Sequence, residues 1–466
     1  SYPVSDGKGA EKRPSFVIGR IARLLPSISV ETESADKEYR LSAKSTALEY
    51  AGEHIGGALW QYFEGQGDAE RALAAMKDAS RYTRGHLSRD AVRALYGGAV
   101  TLSASRMDMA RSCHFAYFMR YGLKARERTG AGFDAPQIGT FVHDVMEHTL
   151  RQAKECGGLH TLSKDKLHAL VRASIEEYID RVLPDLCEKS ARFRYLFNRL
   201  CATVERIMDE VSEELQSSDF EPLAFELEFG ADGQLPAITI REENGTARVV
   251  GKVDRVDGWL HDGKLYLRVV DYKTGRKAFS LSDVWYGMGL QMLLYLFALE
   301  RSGPARYGHE IVPAGVLYVP ARDVLIPADR RLSPEEAARE RAGAARRSGL
   351  LLDDAAVLHA MEHSDTPQYL PVSPRRKTDA LASAEQLGLL ARHIETTLLD
   401  LAHELRGGSI TADPYFRSGQ DTACTHCDYL TVCHFTPGMG GDCHRVLTKL
   451  PADKVWSNLK GGTPDA

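Results

Sequence analysis

GKVDRVDGWLHDGKLYLRVVDYKTGRKAFSLSDVWYGMGLQMLLY, residues 251–295, decides the fold. Residues 247–256, running from Ala247 into this stretch as far as Val256, alternate with the period of a half-buried strand. His261-Asp262-Gly263-Lys264 supplies a turn, with Asp-Gly as the hairpin signal. Residues 265–273, from Leu265 to Lys273, form a second strand ended by Thr274-Gly275. An apolar stretch from Val284 to Leu299 follows, long enough for one buried helix. The side chains of a strand alternate between faces, so Asp271 and Lys273 point the same way. Asp254, near the end of the preceding strand, comes within reach if the two strands pair.

Two carboxylates converging on one point repel unless a cation sits between them. A hard divalent ion with oxygen ligands, Mg²⁺ or Mn²⁺, is the natural occupant. A lysine two residues from such a carboxylate can hold an attacking water or the charge that develops on a phosphate. The stretch therefore points to metal-assisted phosphodiester hydrolysis.

The rest of the composition bounds the answer. A chain of 466 residues has room for two or three domains. Its 43% apolar and 26% charged content are those of a soluble globular protein. The net charge of −5 excludes a globally basic nucleic-acid binder, so contacts with a polyanion have to come from local patches. No run approaches the ~18 apolar residues of a membrane span. The opening Ser1-Tyr2-Pro3 has neither an initiator Met nor a secretory pattern and reads as a fragment or a piece cut from something longer. No G-x-x-x-x-G-K-[ST] loop occurs, so the sequence carries no ATP motor of that class.

Outward from the central stretch toward the N-terminus, Phe225-Glu226-Leu227-Glu228-Phe229-Gly230 is a strand with two carboxylates on one face, and Glu226 is a candidate to add a carboxylate to the site. Residues 160–217 are helical, and Cys187 and Cys201 within them read as core residues. Gly139-Thr140-Phe141-Val142-His143 opens a helix running toward Ala153, with His143 in its first turns and able to complete an Asp–Asp metal site. Ser103 or Ser105 can cap a helix that contains Cys113. Arg120, Lys124, Arg126 and Arg128 alternate with aromatics there, a pattern suited to a nucleic-acid backbone. Residues 1–98 are mainly helical, with clear periods over Ser45–Tyr62 and Ala69–Lys77, and carry no catalytic constellation.

Toward the C-terminus, Gly315-Val316-Leu317-Tyr318-Val319 is a further strand and residues 334–347 a charged, solvated helix. Pro374-Arg375-Arg376-Lys377 is a basic loop, and residues 383–405 form a long amphipathic helix. Cys424, Cys427 and Cys433 then give Cys-x2-Cys-x5-Cys, three soft ligands within ten residues that ask for a fourth. His426, His434, Cys443 or a distant cysteine can complete the set, and from spacing alone zinc is the default.

Taken together, Gly139-x-x-x-His143, Gly251-Lys252-Val253-Asp254, Asp271-Tyr272-Lys273 and Gln291-Met292-Leu293-Leu294-Tyr295 resemble the RecB-type branch of the PD-(D/E)XK nucleases. Cys113 upstream and Cys-x2-Cys-x5-Cys downstream narrow the likeness to the nuclease domain of the AddB family, the B subunits of bacterial AddAB helicase–nucleases. The likeness covers most of the chain from about residue 15 onward. It implies an α/β fold: a restriction-endonuclease-like core with a mixed central sheet flanked by helices, helical insertions and an iron–sulfur staple. The implied layout is a helical region over 1–98 left from a helicase-like part, a nuclease domain over 99–450 with a helical insertion at about 160–217, and a tail over 451–466.

The same resemblance implies a [4Fe–4S] cluster on Cys113, Cys424, Cys427 and Cys433, structural rather than redox-active. It implies metal ligation by His143, Asp254, Asp271 and the Tyr272 carbonyl, with Lys273 as the catalytic lysine. Gln291 and Tyr295, one helical turn apart, would position the scissile strand or the lysine. The function expected is an Mg²⁺- or Mn²⁺-dependent DNase of the cytoplasm. It would cut the 5′-terminated unwound strand in double-strand-break repair, working with an AddA-type helicase–nuclease partner. A stand-alone iron–sulfur exonuclease of the CRISPR-adaptation type, or a DNA-binding scaffold that does not cut, are the alternatives.

Overall fold

Among the described residues, six strands form the sheet that carries the central stretch. They are β1 (Glu221–Phe229), β2 (Gly251–His261), β3 (Lys264–Lys273), β4 (Glu310–Pro320), β5 (Ser348–Leu352) and β6 (Leu381–Ala382), hydrogen-bonded in that order. The sheet is mixed: β1–β2, β2–β3 and β4–β5 pair antiparallel, whereas β3–β4 and β5–β6 pair parallel. The parallel β3–β4 step needs a crossover, which the helix Gln291–Tyr307 provides by packing on both strands. The structure is a computed structural model and describes residues 13–28, 40–81, 83–98, 100–126, 135–230, 233–242, 245–275, 278–322, 332–372 and 378–461.

The chain divides into two units. One comprises Val92–Arg111, Glu127–Arg406 and Lys449–Ala466 and contains the sheet. The other gathers Ser1–Ala91, Ser112–Arg126 and Gly407–Thr448, so its chain arrives in three separate segments. In the second unit, the helices Lys44–Glu53, Ala58–Phe63 and Gly67–Ser80 bury Ala47, Ala51, Trp60, Phe63, Ala69 and Leu73 in a small core. Residues Ala452–Gly461 form a helix that packs on Leu281–Trp285 and on Ala384–Arg406 in the sheet-bearing unit.

Several elements differ from the sequence reading. The alternating run over 247–256 is two strands in different sheets. Gly245–Val249 pairs with Ile238–Glu242 and Val100–Leu102, and β2 begins only at Gly251. The expected helix over 284–299 is broken into Leu281–Trp285 and Gln291–Tyr307. Gly287 (φ 78°) and Gly289 (φ 65°) make the break, since left-handed backbone ends a helix and glycine adopts it at little cost. The Gly289 N–H is held by Asp108 Oδ1 at 2.8 Å. The helix bearing His143 starts earlier than read, at Ala135, and runs to Glu155. Cys113 lies not within a helix but in extended backbone (φ −169°) between Ala104–Ser112 and His114–Tyr117. Cys201 is half-buried rather than core. Cys187's side chain, Arg128 and the basic loop 374–377 lie outside the described residues.

The sheet is also more enclosed than a half-buried hairpin. Arg255, Asp257 and Arg268 are fully buried on the face opposite Asp254 and Asp271. There Arg255 Nη2 and Arg268 Nε both donate to Asp257 Oδ2 at 2.9 Å. Glu214, from the helix Ala191–Gln216, accepts from Arg347 at 2.9 Å and pairs with Arg268 at 3.3 Å. Charges removed from water this completely persist only when paired, and this network supplies the pairs.

Candidate functional site

The register of the sheet assembles the site. Phe225 pairs with Arg255 and Leu227 with Val253, which sets Glu226 opposite Asp254. Arg255 pairs with Val270, which sets Asp254 opposite Asp271. Three carboxylates from three strands thus stand in one row, pointing to one face. The helix Ala135–Glu155 crosses the end of β3. Gly139 lies against Thr274, where a Cβ would meet its Oγ1 at 3.7 Å, and His143 reaches the row one turn later.

His143 Nε2 donates to the Tyr272 carbonyl at 2.8 Å, and its Nδ1 lies 3.4 Å from Asp254 Oδ2. The Tyr272 N–H donates to the same Asp254 oxygen at 2.9 Å. Ligand atoms of His143, Glu226 and Asp254 all lie within 4.8 Å of one another, the spacing of groups that share an ion. Asp271 is ion-paired with Lys273, whose Nζ stands 5.7 Å from the centroid of the Tyr318 ring. Glu226 is ion-paired with Lys252. One imidazole and two carboxylates converge there, with Asp271 and the Tyr272 carbonyl alongside, a hard, oxygen-rich neighbourhood that fits Mg²⁺ or Mn²⁺.

The electrostatics agree with that donor set. Burial, followed by the charge of Asp254, pushes the Asp271 pKa up to about 6 against the pull of Lys273 and His143. Burial alone would pull His143 down, but Asp254, the Tyr272 carbonyl and Asp271 hold its pKa above the usual imidazole value. Carboxylates this crowded are held in place at a cost that a divalent cation would relieve.

Gln291 and Tyr295 do not reach toward the row as free groups. Tyr295 is buried, stacks on Phe229 at 5.4 Å and accepts the Lys252 N–H at 3.2 Å, while Gln291 hydrogen-bonds its hydroxyl. A Cβ at Gly251 would overlap that hydroxyl, so glycine is required for Tyr295 to prop the start of β2. The Tyr272 side chain leaves by the opposite face, where its hydroxyl accepts from Arg255 Nη1 at 2.7 Å. The buried network thereby anchors the residue whose backbone N–H and C=O serve the site. Sequence reasoning held Glu226 only loosely, because the register that aims it depends on strand pairing. It missed Tyr318, which the β3–β4 pairing places beside Asp271.

The cysteines gather in the other unit. Cys113, Cys424, Cys427 and Cys433 line one cavity together with Phe115, Leu430 and Phe435. Among the described residues His426, His434 and Cys443 do not line it. Burial pushes Cys113 up to about 12 and raises the other three thiols. Four thiols converging in an apolar cavity, with no carboxylate among its described lining, form an all-sulfur donor set fit for a soft metal or a cluster. Around them, Arg84 donates to both Asp442 oxygens at 2.8 and 2.9 Å and to the Cys433 carbonyl at 2.6 Å. Its guanidinium lies 4.5 Å over the Phe115 ring. The Phe115 N–H to Thr411 carbonyl bond and the His114–Asp413 pair stitch the Cys113 segment to the later one. Of the basic run, Arg120 faces Asp428 at 3.5 Å.

A mixed sheet that brings an Asp, an Asp-x-Lys and a His together from neighbouring strands and a flanking helix is the arrangement of the restriction-endonuclease-like class. The chain belongs to the PD-(D/E)XK nuclease superfamily, which it matches over residues 101–434. It is similar to the B subunits of the ATP-dependent helicase/deoxyribonucleases of Acetivibrio thermocellus, 31% identical over 486 residues, and of Thermoanaerobacter sp. (strain X514), 29% identical over 489. The alignments cover 98% and 99% of this chain and 42% of each relative, so the chain spans less than half the length of the relatives it matches. Among the described residues no helix is long and apolar enough to cross a membrane.

Proposed function

We propose that the chain is a divalent-metal-dependent deoxyribonuclease that hydrolyses single-stranded DNA. It would work on the 5′-terminated strand during helicase-coupled processing of broken ends, in the cytoplasm and with an AddA-type helicase–nuclease partner. The observation that carries this reading is the convergence of His143, Glu226 and Asp254 within 4.8 Å, beside the Asp271–Lys273 pair. The helicase and the partner are suggested by the names of the relatives, each one subunit of a helicase/deoxyribonuclease.

His143, Glu226, Asp254, Asp271 and the Tyr272 carbonyl would hold the ion. Bound there, Mg²⁺ or Mn²⁺ would supply the positive charge that polarises the scissile phosphate. Lys273, whose ammonium pairs with Asp271, would orient the attacking water and meet charge developing on the phosphate. Tyr295 and Gln291 keep Asp254 in register from behind, by bracing the Lys252 backbone. The cysteine cavity would hold a [4Fe–4S] cluster on Cys113, Cys424, Cys427 and Cys433 as a structural staple.

The test mixes the purified chain with end-labelled single-stranded DNA and Mg²⁺. Wild type cuts, Asp271→Ala and Lys273→Ala lose at least about a hundredfold in rate, and both keep the wild-type circular dichroism. Wild type that does not cut, or Asp271→Ala that cuts equally well, overturns the reading.

A further inference from the structure

The row of side chains that makes the site does not stop at Asp271. Asp271 pairs with Tyr318 on β4, and Tyr318 pairs with Ser348 on β5. Neighbouring strands are about 4.8 Å apart, so Ser348 lies roughly 10 Å from Asp271 along the same face of the sheet. There it lines an open cleft of about 710 Å³, shared with Phe279, Ser280, Ser282, Ala380 and Lys449. All of these residues belong to the sheet-bearing unit. None of them takes part in the metal site described above.

The lining has a definite chemistry. The hydroxyls of Ser348, Ser280 and Ser282 accept the N–H of Phe279, Asp283 and Leu450 respectively. Each accepting oxygen keeps its own proton to donate. Lys449 adds an exposed cation, Asp379 an acceptor, and Phe279, Leu450 and Pro451 add apolar surface. Donors for a phosphate or sugar, an acceptor for a base N–H and a ring to lie against it suit a nucleotide. A bare anion would have no use for Asp379. The volume is that of a small-molecule site. A separation of about 10 Å spans about three stacked bases at ~3.4 Å each, and fewer in an extended strand.

We propose that this cavity is a nucleotide subsite, holding a base and sugar of the DNA strand one to three nucleotides from the phosphodiester presented to Asp254 and Asp271. The proposal rests on the nuclease reading above and adds where the strand lies. Tyr318 forms the floor between the two places, buried beneath Lys273.

The experiment uses the full chain with two substitutions, Ala380→Trp to fill the cavity and Lys449→Glu to reverse its charge. Binding of a fluorescent oligothymidylate is followed by anisotropy in EDTA. Hydrolysis of bis(p-nitrophenyl) phosphate, too small to span both places, is followed in Mg²⁺. Both variants should weaken oligonucleotide binding by about tenfold or more and leave bis(p-nitrophenyl) phosphate hydrolysis unchanged. Thymidine monophosphate at millimolar concentration should compete with the oligonucleotide on wild type and not on Ala380→Trp. If Ala380→Trp does not fold, the exposed Lys449→Glu decides alone. Unchanged binding in the folded variants overturns the subsite. A wild type inactive on every phosphodiester overturns the nuclease reading instead, while the binding data still decide the cavity.

Discussion

In the proposed site Asp271 would carry two roles that pull in opposite directions: it would have to be charged to hold a cation, yet it is buried where charge is penalised. Its pKa of about 6 exceeds the ~3.9 of an unfolded aspartate. Between about pH 4 and pH 6 the folded metal-free protein therefore binds more protons than the unfolded chain. The contribution of Asp271 to stability falls as pH rises through that window and stays lowered above it, by about 3 kcal/mol at most. In EDTA, the Tm of Asp271→Asn should rise relative to wild type from pH 4 to pH 6.5, and Mn²⁺ should reverse the order at pH 7. A difference that does not change with pH contradicts the assignment. At this scale much of the site was legible. Asp254, Asp271 and Lys273 sit on consecutive strands at fixed offsets, and His143 sits four residues from a glycine on one helix face. Glu226 was legible only as a candidate, because the residue opposite it lies 28 positions onward and only the β1–β2 register decides that it faces Asp254.

Among the elements, the hairpin β2–β3 shows where local pattern reading ends. Its alternation was visible, but alternation normally means one wet face, and here both faces are covered. The hidden face carries Arg255, Asp257 and Arg268, and the helix Ala191–Gln216 supplies Glu214 as their counter-charge. No local signal in that helix distinguishes Glu214 from its solvated neighbours, since its partners lie on β3 and before β5. Glu214 is fully buried between Arg268 and Arg347. Glu214→Ala should therefore destabilise the chain by about 3–5 kcal/mol, the cost of leaving arginines buried without a partner. Urea unfolding at pH 7 checks this, and a loss below about 1 kcal/mol would mean that the arginines reach water.

At the scale of the whole molecule, the cysteines matter because they come from distant parts of the chain. Cys113 and Cys424 are about 310 residues apart in sequence, yet they line one cavity in one unit. A link between them closes a very long loop of the unfolded chain. Spacing marked three of the four cysteines that line this cavity; the fourth was singled out only through family likeness, because no local pattern spans that distance. Protein purified without oxygen should be brown, and Cys433→Ser should lose the colour and lower the Tm by several degrees. Trypsin should then cut the variant preferentially within the three segments of that unit. A colourless wild type holding one zinc per chain would replace the cluster with zinc.

One further consequence lies in the backbone of β1. Glu226 sits at φ 48°, in left-handed territory that a side chain adopts only at a penalty of about 1–2 kcal/mol. In the proposed site, sturdiness and ion capture are therefore in competition at this position. Glu226→Gly should unfold at higher urea than Glu226→Ala, by about 1 kcal/mol, while both bind Mn²⁺ more weakly than wild type. Equal stability of the two would show that the chain bends there without effort. Otherwise, selection for hardiness alone would favour a glycine and erode the grip on the ion.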